Sequence, residues 1–509
     1  MTQARSIRAI VFFTASAVLV GCSLIVGKET AKARENGSDG GVDGGGGGGG
    51  GGVVAEGSTC LLAIDFGAEG EEALGGVTTD ASGHIWLAGT YRGKLSFGAK
   101  QLPEPPVGDT NMFLLALDGA TGELLIPTQF DLGPVELGVA GIAIANNSVY
   151  VAGRFAGSRD LGVGCSLKST GNTDADAFVA RFDTSGNCLA VRSFNNSPSD
   201  QVGALAADEA RVVITGTVNN GDGFFIHRYD PTLSMLAPSF FTAGHGGSTI
   251  APRVAALKDD QVLIAGDFIG TFNLSFSKPD GSSEGMLNNG TDKTPDAFTV
   301  AYHVSRLGAL SPAPSPYAWS EDYGSSGNQT LVALAPGKSA GANAFYAAGH
   351  FENTVDFHVG DQKPLRAVDG KDAVVAAMVA ETGKILWSKR FGELSDQSAT
   401  AISYDVLKQA VLVAGGFQGQ IALGASTLVN PATSDRIFVA RLTESGEPQW
   451  GRAFGAEGVQ SVNALIADNG EVTVAGSYTG TLDFGCTPPL VNKGTSSRFF
   501  LARLKPILP

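Results

Sequence analysis

The sequence predicts an all-β chain folded as a seven-bladed β-propeller, closed by its own N-terminal strand, and three observations predict it. A small residue followed by glycine recurs seven times, at Ala88-Gly89, Ala152-Gly153, Thr215-Gly216, Ala265-Gly266, Ala348-Gly349, Ala414-Gly415 and Ala475-Gly476, at spacings of 64, 63, 50, 83, 66 and 61 residues. Each pair belongs to a unit of four short alternating runs, and four strands in about 60 residues is the arithmetic of a propeller blade. The last unit stops one strand short, after Phe499 to Leu504, while LLAIDFG, from Leu61 to Gly67, stands alone at the start. Joining this orphan to the incomplete blade closes the ring and removes a free sheet edge.

The other runs are equally regular. DAFVARFDTSG (176–186) and IFVARLTESG (437–446) follow the glycine, and ILWSKRFG (385–392) and QWGRAFG (449–455) come next. VGALAAD (202–208) and VNALIAD (462–468) then lead into the following pair. Glycine after the small residue suits a central strand crowded by the next blade. Of 509 residues, 70 are glycine and 17% are charged, with a formal net charge of −15. Gly-rich turns between short apolar runs favour β architecture. The acidic balance repels phosphate, so no nucleic-acid partner is expected.

Residues 1–21 read as an export signal, with Arg5 and Arg8 ahead of an apolar stretch from Ile10 to Val20 that is too short to span a bilayer. Leu19-Val20-Gly21-Cys22 resembles a bacterial lipobox, which implies a lipidated Cys22 as the first residue of the mature chain. Ser23 after it implies sorting to the outer membrane by the usual rule. Residues 22–59 are polar and carry unbroken glycine from Gly44 to Gly52. Such a stretch cannot bury apolar surface and is expected to be a disordered tether with a reach of roughly 30–35 Å. The propeller is expected to occupy 60–509.

Cysteine positions follow the repeat. Cys60 lies six residues before Phe66 and Cys188 six before Phe194, while Cys165 follows LGVG (161–164) and Cys486 follows LDFG (482–485). Two equivalent positions, occupied together twice and never singly, predict the pairs Cys165–Cys188 and Cys60–Cys486. Bridged Cα atoms lie ~4.4–6.8 Å apart, so the segment after the small-Gly strand must fold back along the outer edge of its blade. An exported compartment permits such bonds.

No catalytic residue emerges: there is no nucleophile elbow and no phosphate-binding glycine loop. The six histidines share no ligand spacing, Asp356 and His358 make a single close pair, and neither a metal nor a cofactor is expected. Asp176, Asp222, Asp296 and Asp372 recur ahead of the third strand and read as strand-start hydrogen-bond acceptors. Loop lengths say more. Most blades use 23 to 25 residues from the glycine to the next strand's anchor, but blade 3 uses 8 (Gly216 to Phe224) and blade 4 uses 32 (Gly266 to Phe298). A truncated loop beside an extended one predicts a notch, with Asn219, Asn220, Asp222, Asp280, Asn288 and Asp292 as its candidate ligand-binding residues.

The phrases DAFVARFDTSG, LDFG and ILWSKRFG resemble the SBBP-type β-propeller repeats of bacterial exported proteins, notably myxobacterial lipoproteins, over about residues 60–504. The resemblance implies fold and export and offers no catalytic residues. The function expected is that of a cell-envelope lipoprotein: a non-enzymatic binding scaffold, held to the membrane by lipid and meeting an envelope protein or a polysaccharide. Two alternatives stay open. One is a polysaccharide-cleaving propeller, a glycosidase or lyase, whose carboxylates and aromatic platform would converge at the channel mouth. The other is an outer-membrane assembly scaffold, since TGKILW (382–387) is similar to the repeats of such lipoproteins. Those place tryptophan in most blades, whereas here only Trp387, Trp450 and Trp319 fit the position.

Overall fold

The computed structural model describes residues 58–506 apart from 69–71, 99, 135–137, 171–174, 195–200, 219–220, 237–239, 242, 245–247, 275–284, 290–293, 308–314, 325, 361, 425 and 469. Seven antiparallel blades follow one another along the chain, six of them four-stranded sheets and the seventh four strands extended to six by the hairpin Leu95–Phe97 and Lys100–Gln101. Blade 1 runs outward from the axis as Glu72–Thr79, Ile85–Tyr91, Thr110–Leu117 and Leu124–Gly133. The inner strands of blades 2 to 6 are Val139–Ala145, Gln201–Ala207, Thr249–Lys258, Gln329–Ser339 and Gln397–Asp405. Successive inner strands touch around the whole ring, and Glu72–Thr79 meets Gln460–Asp468 of blade 7.

Blade 7 closes the ring as the chain ends predict. Its strands are Gln460–Asp468, Glu471–Tyr478, Arg498–Pro506 and, outermost, Ser58–Ala68. The N-terminal strand pairs from Ser58 opposite Pro506 to Phe66 opposite Phe499, so it begins three residues earlier than the apolar run alone suggests.

The recurring glycine has a different cause from the one the sequence suggests. A Cβ at Gly216, Gly266, Gly349, Gly415 or Gly476 would lie 1.9 Å from a carbonyl oxygen of the inner strand of the same blade, at Gly153 1.9 Å from that of Gly138 just before the inner strand, and at Gly89 2.4 Å from Ala73 O. A register shift follows that carbonyl in every inner strand, such as the one between Ala399 and Ala401. The crowding therefore comes from a bulge within the blade, not from the next blade. What neighbouring blades share is the core. Trp86, Ala88 and Met112 of blade 1, for instance, pack with Val149, Phe155 and Phe178 of blade 2.

Between second and third strands most blades insert a short hairpin at the rim. Examples are Ser158–Asp160 with Ser166–Lys168, Gly419–Leu423 with Ser426–Asn430, and Gly480–Leu482 with Leu490–Asn492. In blade 5 the long strands Ala342–Val355 and Leu365–Val379 extend to form it themselves. These hairpins fold back on the outer strand, and both predicted disulfides fasten them there: Cys165–Cys188 with Cα atoms 6.2 Å apart, and Cys60–Cys486 at 5.2 Å.

Candidate functional site

The inner strands converge on a channel whose mouth opens where they begin. A cavity of about 640 Å³ lies there, lined by side chains of blades 1, 4, 5, 6 and 7. Its rim is held by glutamines that open three inner strands. Gln329 Nε2 donates to Ser326 O at 2.8 Å and Thr354 O at 3.0 Å. Gln397 Nε2 donates to Leu394 O at 2.5 Å and Gln418 O at 3.0 Å, and Gln460 Nε2 to Glu457 O at 2.8 Å. Each amide ties the incoming connection of its blade, and in blades 5 and 6 it also ties the end of the second strand or the hairpin beyond it. Sequence reasoning missed these residues, although a glutamine just ahead of each apolar run was there to be read.

Inside the rim, groups of both signs meet. His350 Nδ1 lies 3.1 Å from Ser398 Oγ. Burial, followed by the positive charges of Lys371 and Arg253, lowers the His350 pKa to about 4, so the imidazole is neutral at pH 7. Arg253 pairs with Asp267, its Nη2 3.3 Å from Oδ2. Asp396 Oδ1 accepts the Lys371 backbone N–H at 3.0 Å, and Asp435 Oδ1 accepts Gln418 Nε2 at 2.8 Å. Ser461 and Ser477 share a hydrogen bond of 2.8 Å. Among the described residues no tryptophan or tyrosine lines this cavity. The mouth offers fixed donors and acceptors suited to a ligand rich in hydroxyl, amide or charged groups.

Of the residues proposed for the notch, Asp222 and Asn288 are described, and neither lines this mouth. Asp222 is exposed beside the third strand of blade 3, Gly223–Tyr229. Asn288 is exposed at the end of Met286–Asn288 in blade 4, where it accepts Thr271 Oγ1 at 3.3 Å. Asn219, Asn220, Asp280 and Asp292 lie outside the described residues, as does Cys22. The length difference between the two loops has a structural reading. Among the described residues blade 3 has no hairpin between its second and third strands, while in blade 4 Thr271–Asn273 pairs with both Met286–Asn288 and Ala243–Gly244.

Two of the recurring aspartates are held as hydrogen-bond acceptors: Asp176 at the start of Ala175–Asp183, and Asp372 within Leu365–Val379 and so not at a strand start. Asp176 accepts Thr170 N at 2.9 Å and its hydroxyl at 3.1 Å. Fully buried Asp372 takes Arg390 Nη1 at 2.7 Å and Val368 N at 3.2 Å. Burial pushes its pKa up, opposed by Arg390. Asp356 accepts the His358 backbone N–H at 2.8 Å in a local turn. Among the described residues no three His, Cys, Asp or Glu side chains are grouped to hold a metal ion.

No family model and no curated protein matches the chain. It is similar to a protein of unknown function from Dyadobacter fermentans, at 9% identity over 89% of this chain and 100% of that one, with a TM-score of 0.41. It is also similar to the β-propeller domain of the trilobed protease from Pyrococcus furiosus, at 7% identity over 84% and 99%, with a TM-score of 0.39. A third is the quinohemoprotein alcohol dehydrogenase from Comamonas testosteroni, at 11% identity over 89% and 77%, with a TM-score of 0.40. Such remote likenesses say nothing of activity. The propeller assignment stands on the order and closure of the seven sheets.

Proposed function

We propose that this chain is an exported, lipid-anchored envelope protein whose disc is a non-enzymatic binding module, with its ligand seated in the channel mouth. The observation that carries the reading is the convergence of five blades on one cavity of about 640 Å³ lined mostly by polar and charged residues. Glutamine-fixed backbone and a closed ring hold that lining in place before any ligand arrives, which lowers the ordering cost of binding. The hydrogen-bonding groups fit a polysaccharide or the polar surface of an envelope protein. Two disulfides support an oxidising compartment. The lipobox-like residues ending at Cys22 and the SBBP-type phrases support export and anchoring. A glycan-array and envelope pull-down screen with the 57–509 fragment tests the reading, each bound glycan being assayed for cleavage. Binding without cleavage supports a module; cleavage of a bound glycan contradicts it.

A further inference from the structure

Away from the mouth, the seam between blades 7 and 1 carries an apolar trough. A cavity of about 580 Å³ is walled by Leu95, Leu102, Leu115 and Pro127, and a second of about 500 Å³ by Ala63 and Ile64. Both are also lined by Phe97, Lys100 and Leu124, so they adjoin at one hairpin and are taken together as the trough. The outer strands on either side also show exposed aliphatics, Leu61 at 43% and Leu125 at 42%. Isolated exposed aliphatics are ordinary; these two stand beside a concave, mostly apolar lining that a short aliphatic segment could occupy.

One wall of the trough is the strand that the N-terminal segment enters. That segment, residues 22–57, contains a single run of three large aliphatic residues, Leu24-Ile25-Val26, next to Cys22. We propose that Leu24-Ile25-Val26 docks in the trough at the blade 7–blade 1 seam, giving the tether a retracted state as well as an extended one. Ser58 begins the wall strand five residues before Ala63, a separation of about 17 Å along the strand. Val54, four residues before Ser58, reaches at most about 14 Å back from it and falls short. The 31 residues between Val26 and Ser58 have a root-mean-square reach of roughly 28–33 Å, which covers the distance. A flexible link of this length holds the aliphatic run near the trough at an effective concentration on the order of millimolar, so even weak docking is populated. In the retracted state the disc sits close to its anchor; in the extended state it ranges further out.

The docking rests on residues 22–59 being a tether, amends that reading by making Leu24-Ile25-Val26 the one part of it that buries apolar surface, and is independent of what the mouth binds. The test is the full mature chain carrying Ile25→benzoylphenylalanine, irradiated without ligand and mapped by peptide mass. The expected cross-links concentrate on residues 95–103 and 124–129. They fall at least fivefold when Leu125→Asp and Pro127→Asp place charge in and beside the trough; both side chains are exposed, so the fold is retained. Cross-links scattered over the disc, absent from it, or unchanged by the two aspartates overturn the proposal. The intact mass of the same sample reads lipid on Cys22 separately, so a missing anchor and a failed docking give different records.

Discussion

At the residue scale the molecule turns on positions where a single atom decides. Gly415 and Gly416 are neighbours, yet a Cβ on the first meets Ser398 O at 1.9 Å while one on the second finds nothing nearer than Asp435 at 3.6 Å. Gly415→Ala is therefore expected to lose about 2–3 kcal/mol by forcing the inner strand aside, whereas Gly416→Ala should stay within about 0.5 kcal/mol. Parallel denaturant melts of the two variants check this. His350 gives a second prediction. Its folded pKa of about 4 lies below the usual 6.5, so the unfolded chain takes up a proton that the folded chain refuses. Its contribution is complete above pH 6.5 and is lost as pH falls to about 4, by up to about 3 kcal/mol. Buried His227, also lowered to about 4, acts in the same window. His350→Gln should thus flatten part, not all, of the acid-side loss of stability measured between pH 7 and 4. The glycine recurrence was legible in the sequence. Its cause was not, because a register shift between paired strands leaves no mark on residue spacing.

At the scale of elements, the rim hairpins and the bonds that hold them separate two kinds of stability. Cys165–Cys188 closes a loop of separation 23 within one blade, and Cys60–Cys486 spans 426 residues across the ring closure. Chain-entropy reasoning gives about 3 kcal/mol for the first and up to about 5 kcal/mol for the second. Thermal melts of Cys188→Ser and Cys60→Ser should rank in that order, with the ring-closing variant the less stable. The pairing was readable because equivalent positions in the repeat co-occur. The hairpin strands themselves were less readable, since runs such as Ser158–Asp160 are only three residues long and show no period of their own. The glutamine ties escaped notice for another reason. Their partners are backbone carbonyls, such as Gln418 O and Thr354 O, which carry no sequence signature.

At the scale of the whole molecule, blade count and ring closure were legible from seven small-Gly pairs and two complementary chain ends. The mouth was not, because Glu72, Arg253, His350 and Ser461 come together only when the ring closes over almost four hundred residues of chain. Loop length pointed instead to the rim of blades 3 and 4, where Asp222 and Asn288 stand on separate elements. The account therefore separates two places for a ligand. Isothermal titration of a glycan retained from the array decides between them, using Ser398→Trp to fill the mouth and Asn288→Trp to perturb the rim. Binding weakened at least a hundredfold by Ser398→Trp and changed less than twofold by Asn288→Trp is the result predicted. Binding that survives Ser398→Trp and is lost with Asn288→Trp would contradict the channel mouth as the site.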